Sequence, residues 1–131
     1  MAESTLAEIL LALAEQDALA FRKLAGDSEV HDALVGFHAQ QAVEKALKAV
    51  LSHARVAFRR THDIAELLDL LSDSALPAPP HADHLDELNP YAVEMRYGLV
   101  EPCGLDRGET GAMLKDVLAW ARANLSPDGQ D

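Results

Sequence analysis

The segment FHAQQAVEKALKAV, Phe37 to Val50, places apolar residues at three- and four-residue spacing, with His38, Gln41, Lys45 and Lys48 on the other side. An α-helix turns every 3.6 residues, so this spacing commits the segment to a helix with one face in a core. The core stripe is Gly36, Ala39, Val43, Ala46, Leu47 and Val50, in a helix running to about His53 or Arg55. Leu34 and Phe37 lie on the polar side, where a solvent-facing helix has little use for them. This helix is therefore expected to be covered on both sides. The polar side serves either a second protein contact, such as a dimer interface with lysines reaching along their stems to water, or a ligand groove.

The same periodicity recurs along the chain. Leu6, Ile9, Leu10, Leu13, Ala20, Phe21 and Leu24 predict a long first helix ended by Gly26, with Asp27 or Ser28 capping the second. Thr61 reads as the N-cap of a third helix with Ile64, Leu67, Leu68 and Leu71 inward. Ser74 to Asp83 holds three prolines and reads as a surface connection. Asn89 and Pro90 open a short helix near 90–97, because Pro at the first helical position gives up an N–H that lacks a partner anyway. Asp106 and Glu109 have capping-box spacing for a last helix with Met113, Val117, Ala121 and Leu125 inward. The expected architecture is all-α, an up-and-down antiparallel bundle of four to five helices forming one domain over 1–125, with a flexible tail at 126–131.

Composition narrows the function. Apolar residues make up 49% of the 131 positions and are mainly Ala and Leu, which favours helix over sheet. A formal charge of -11 argues against non-specific binding to nucleic acid or anionic membranes over the whole surface. A local basic site stays open, since screening confines a charge to roughly 8–10 Å at physiological salt. Cys103 is the single cysteine, so neither an intrachain disulfide nor a Cys-rich zinc site is possible, and a reducing compartment fits. The N-terminus lacks a basic n-region, and no apolar run reaches the ~20 residues that cross a bilayer. A cytoplasmic protein without membrane contact is expected.

Two features exceed what a bundle needs. Asp17 falls within the apolar stripe of the first helix, and a buried carboxylate requires a partner. Arg96 is the first candidate for that structural ion pair and Lys45 the second; a catalytic role for Asp17 is the alternative. Secondly, five of the eleven Lys and Arg residues fall between Lys45 and Arg60 with no acid among them, next to His53 and His62. Arg55, Arg59 and Arg60 could clamp a phosphate beside Thr61, His62 and Asp63, where a helix start offers free N–H groups. Pairing with surface acids is the other reading. There is no Gly-rich phosphate loop and no HExxH, and His81 and His84 lack evident further ligands, so no metal or cofactor is expected. Arg55 and His62 could serve as cation and general base in RNA cleavage.

The series FHAQQAVEKALKAV, RRTHDIAELLDLL and LNPYAVEMRY resembles the HEPN domain family of small helical proteins over nearly the whole chain. The resemblance implies a helical bundle with a short extra helix, a homodimer, and a partner that is a minimal nucleotidyltransferase in a toxin–antitoxin-like pair. It implies a module that binds nucleotide or RNA phosphate, with His38, Gln41, Lys45, Lys48, Arg59, Arg60, Thr61, His62 and Asp63 as candidate contacts. Gln41, Glu44, Lys45, Thr61, His62 and Asp63 match recurrent motif positions. Some branches are metal-independent ribonucleases carrying an Arg, then four to six intervening residues, then a His, near the start of a late helix. Here no His follows Arg96, whereas Arg55 and His62 have that spacing at the junction of the second and third helices. The alternatives are therefore a ribonuclease toxin using Arg55 and His62, and a non-catalytic interaction partner.

Overall fold

The computed structural model describes residues 5–92 and 104–126. Within them the chain is helical with no strand. Helix α1, Leu6–Ala25, opens on a complete capping box: the Thr5 hydroxyl accepts from the Glu8 N–H at 3.1 Å and the Glu8 carboxylate from the Thr5 N–H at 2.9 Å. Gly26 closes it. Helix α2, Asp32–His53, starts later than the expected caps, after His31, whose side chain makes no cap bond. Asp27 instead shapes the turn, its carboxylate accepting from the Glu29 N–H at 2.9 Å.

Helix α3, Ile64–Asp73, is capped by Asp63 rather than Thr61. The Asp63 carboxylate accepts from the Ala65 N–H at 2.9 Å, while the Thr61 hydroxyl accepts one step earlier, from the Asp63 N–H at 3.0 Å. Helix α4, Ala82–Leu85, leads through a 3₁₀ turn, Asp86–Leu88, into helical residues 89–92. The helix expected near 90–97 is thus entered from an existing turn, and beyond 92 it lies outside the described residues, as does the tail from 127. Asn89 caps a different helix: its side-chain oxygen accepts from the Ile64 N–H at 2.9 Å and its amide donates to Asp63 at 3.0 Å. Helix α5, Arg107–Leu125, starts where Asp106 accepts from the Glu109 N–H at 2.9 Å.

Helix α2 is the centre of the bundle. Its predicted stripe is buried throughout, as are Ile64, Leu67 and Leu71 of α3 and Val117 and Ala121 of α5. Helix α1 corrects the sequence reading. It buries Ala7, Ala14, Ala18 and Phe21 and leaves Leu6, Ile9 and Leu13 between 45% and 58% exposed. The helix has two apolar stripes roughly a quarter turn apart, and periodicity cannot say which one faces inward. Phe21 is buried as expected; the rest of the inward stripe is alanine, which lets α1 lie close against α2. Gly36 of α2 serves a similar purpose, since a Cβ there would meet the Tyr91 ring at 2.2 Å.

One polar staple closes the bundle. Arg107 donates from Nε and Nη2 to Asp32 Oδ1 at 3.0 and 2.9 Å, and from Nη1 to the Ala25 and Asp27 carbonyls at 3.2 and 3.1 Å. The Leu105 N–H donates to Asp32 Oδ2 at 3.1 Å, and this bond leads, with Arg107 adding to it, in holding the Asp32 carboxyl below its ordinary value. The staple fixes the α1–α2 turn to the start of α5.

Candidate functional site

The motif on α2 is organised by a residue absent from the candidate contacts. Gln40, Glu44 and Lys48 follow at four-residue spacing, so they line one side of the helix. The Glu44 side chain is only 5% exposed. Its Oε1 accepts from Gln40 Nε2 at 3.0 Å and faces His62 Nδ1 at 2.9 Å; its Oε2 accepts from Lys48 Nζ at 2.8 Å. Gln41 Nε2 donates to Gln40 Oε1 at 2.7 Å and lies 3.4 Å from Glu44. Burial pushes the Glu44 carboxyl up, but the Lys48, His62 and Gln40 donors outweigh it and hold the group below its ordinary value. The side chain is thus a carboxylate, an acceptor only, so the hydrogen between the two groups sits on His62 Nδ1.

The same donors tie down the loop between α2 and α3. Gln40 Nε2 also donates to the His62 carbonyl at 3.1 Å, and Lys48 Nζ to the Thr61 carbonyl at 2.9 Å. Lys48 further lies 5.8 Å from the centre of the Phe58 ring, within cation–π range. The loop is therefore held from beneath by buried polar groups.

What the loop turns outward is His62, with a side chain 57% exposed and no partner for Nε2 among the described residues. Arg60 and Arg55 are exposed and form no ion pair among the described residues, Arg55 in a left-handed conformation at φ 64°. Arg59 is exposed as well but grips the Glu66 carboxylate through Nε and Nη2 at 2.8 and 2.7 Å, which raises its pKa further. The first two N–H groups of α3 are taken by Asn89 and Asp63. The helix start therefore offers an anion less than the sequence suggested, and Asp63 adds a negative charge there. The polar groups this loop leaves outward and unpaired among the described residues are His62 Nε2 and the Arg55 and Arg60 guanidinium groups.

A second cluster joins α1 to α2. Asp17 Oδ2 accepts from Lys45 Nζ at 2.6 Å, and Asp17 Oδ1 lies 3.1 Å from His38 Nδ1. The expected internal tie for Asp17 thus includes Lys45, the second candidate; Arg96 falls outside the described residues. Phe37 packs edge-on against His38, with ring centres 5.5 Å apart. Because Asp17 follows Leu13 by one turn, this cluster borders the exposed leucine row of α1, with Leu34 exposed on the α2 side.

Two further histidines pair with acids, His81 with Asp116 of α5 at 2.8 Å and His84 with the nearby Glu87 at 3.0 Å. Glu87 raises the His84 pKa. Among the described residues no three His, Cys, Asp or Glu side chains gather as metal ligands, and no helix is long and apolar enough to cross a membrane.

Sequence reasoning missed Gln40 and Glu44 as the acceptor hub, although their spacing to Lys48 was a usable signal. It also missed the Asp32–Arg107 staple, whose partners are 75 residues apart and carry no local signal. No curated protein and no solved structure matches the chain. The family model of the HEPN domain matches residues 7–120, which span the capped helices, the Glu44 hub and the Asp17 cluster. The chain belongs to the HEPN domain family.

Proposed function

We propose that this HEPN protein is a binding module for nucleotide or RNA phosphate, cytoplasmic and homodimeric, which acts with a minimal nucleotidyltransferase in a toxin–antitoxin-like pair. The observation that carries the reading is His62, anchored at Nδ1 by a buried carboxylate and exposed beside Arg60, which has no acid paired to it among the described residues. A preset imidazole next to a free guanidinium suits a phosphate oxygen. Family membership supports the phosphate ligand and the nucleotidyltransferase partner. The exposed leucine row of α1 supports the dimer.

The test is a labelled single-stranded RNA followed by anisotropy at low and moderate salt, with the same samples run on a denaturing gel. Binding should weaken with salt by about 0.7 log units per log of salt for each phosphate contact. Arg60→Glu with His62→Ala should reduce affinity at least about tenfold; unchanged affinity sinks the site. The Glu44–His62 bond favours one second reading, a ribonuclease in which His62 moves the proton and Arg55 stabilises charge. RNA cleavage that disappears in His62→Ala would put that reading first. For the dimer, Ile9→Glu with Leu13→Glu should give a folded monomer in sedimentation, and a persistent dimer would exclude this face.

A further inference from the structure

A groove of about 430 Å³ runs between α1 and α5, away from the Glu44 hub and the Asp17 cluster. Its floor is Ala18 and Phe21 from α1 with Leu114 and Leu118 from α5. Gly111 keeps one end open: a Cβ there would already stand 3.3 Å from Phe21 Cε2. Three of the eleven Lys and Arg residues of a chain with net charge -11 line this one groove, namely Arg22, Lys115 and Arg122. Arg122 is neutralised by Glu15 at 2.8 Å. Arg22 and Lys115 are exposed and form no ion pair among the described residues.

The orientation of the helices orders these groups. Gly111 lies by Phe21 and Arg122 by Glu15, so α5 runs antiparallel to α1. Arg22 therefore stands at the Gly111 end, Lys115 one turn further along, and the Leu118–Arg122 stretch continues toward the opposite end. An unpaired positive pair lies at one end of an apolar trough, and a charge-neutral pair closes the other.

We propose that this groove binds a small amphiphilic anion, with a carboxylate or phosphate head between Arg22 and Lys115 and an aliphatic tail over Leu114 and Leu118. Charge complementarity selects the head, because unpaired cations on an acidic surface attract an anion locally. The apolar floor selects the tail. The volume suits a small molecule, in the range of roughly 300–1,000 Å³ typical of ligand pockets. A protein partner would need contact over about 1,000 Å² or more, far beyond this trough.

Calorimetric titration of the full chain with decanoate and with decyl phosphate, each below its micelle concentration, tests the site. The two probes separate carboxylate from phosphate heads. Saturable one-to-one binding is expected for at least one of them, with decanol and inorganic phosphate at least tenfold weaker. Lys115→Glu with Arg22→Glu should weaken binding at least tenfold at positions exposed enough to leave the fold intact. Gly111→Leu should fill the groove and abolish binding; if that variant does not fold, the charge pair alone decides. No saturable binding by either amphiphile, or binding unchanged in the charge variant, overturns the proposal.

Discussion

Helix α2 carries the same chemistry twice with different results. Asp17 and Glu44 each meet one lysine and one histidine Nδ1, Lys45 with His38 and Lys48 with His62. Around Glu44, two glutamines add donors and the carboxylate is 5% exposed; around Asp17 there is no amide and the carboxylate is 15% exposed. The Glu44 group bonds onward to the backbone of a loop, whereas the Asp17 group joins two helices at the rim of an exposed apolar row. A buried charge needs all its donors and acceptors matched. The first cluster therefore sets the shape of the loop between α2 and α3, and the second lies at the rim of an exposed apolar row.

The largest expected effect comes from breaking the deeper cluster. Glu44→Ala leaves Lys48, itself 12% exposed, without a counter-charge. The loss should be about 3–5 kcal/mol in urea unfolding, with faster proteolysis at the 59–63 loop. A loss below about 1 kcal/mol would show that the cluster is not closed from solvent. Asp17→Asn should cost less, about 1–2 kcal/mol, because Lys45 and His38 are each 24% exposed and water replaces part of what is lost. Equal losses in the two variants would erase the contrast.

Acid titration sharpens it further. The Glu44 and Asp32 carboxyls lie below their ordinary values of 4.5 and 3.8 in the folded chain. A carboxyl whose folded pKa is depressed contributes stability that is complete above the unfolded value and lost as pH falls through the folded one. Stability should hold near neutrality and fall as pH drops below about 4.5. Glu44→Gln should flatten the upper part of that decline, measured by urea midpoints across pH 3–6; an identical profile would mean that Glu44 carries none of it. His84 acts with opposite sign, since its raised pKa contributes below the ordinary 6.5 and is lost as pH rises through the folded value.

Much of the fold was legible because periodicity and turn residues are local signals. The α2 stripe, the Gly26 stop and the Asp106 cap all stand where the spacing put them. The α1 orientation was not legible, because a leucine row and an alanine row both satisfy helical spacing and only close packing selects between them. The α3 cap shifted from Thr61 to Asp63 because Thr61 is drawn inward by the Lys48 tie to its carbonyl. At the candidate site, residue types were readable but allegiances were not. Lys48 and Arg59 looked like free cations in sequence, and each is held by a glutamate, one four residues back and one seven residues on. His62 and Arg60 read the same way in sequence; only the folded loop shows that Glu44 holds one nitrogen of His62 and that Arg60 forms no ion pair among the described residues.

The Arg107 staple bears on the order of events as the chain folds. The α1–α2 hairpin is the most extensive helix pairing among the described residues and closes across a six-residue turn, so it is cheap to form early. Arg107 reaches that turn from across 75–82 residues of sequence, and it has no carbonyls to grip until the turn exists. Bonds of so long a span are expected to form late. Arg107→Ala should then speed the opening of the finished bundle more than it slows assembly, as a latch on the way out would.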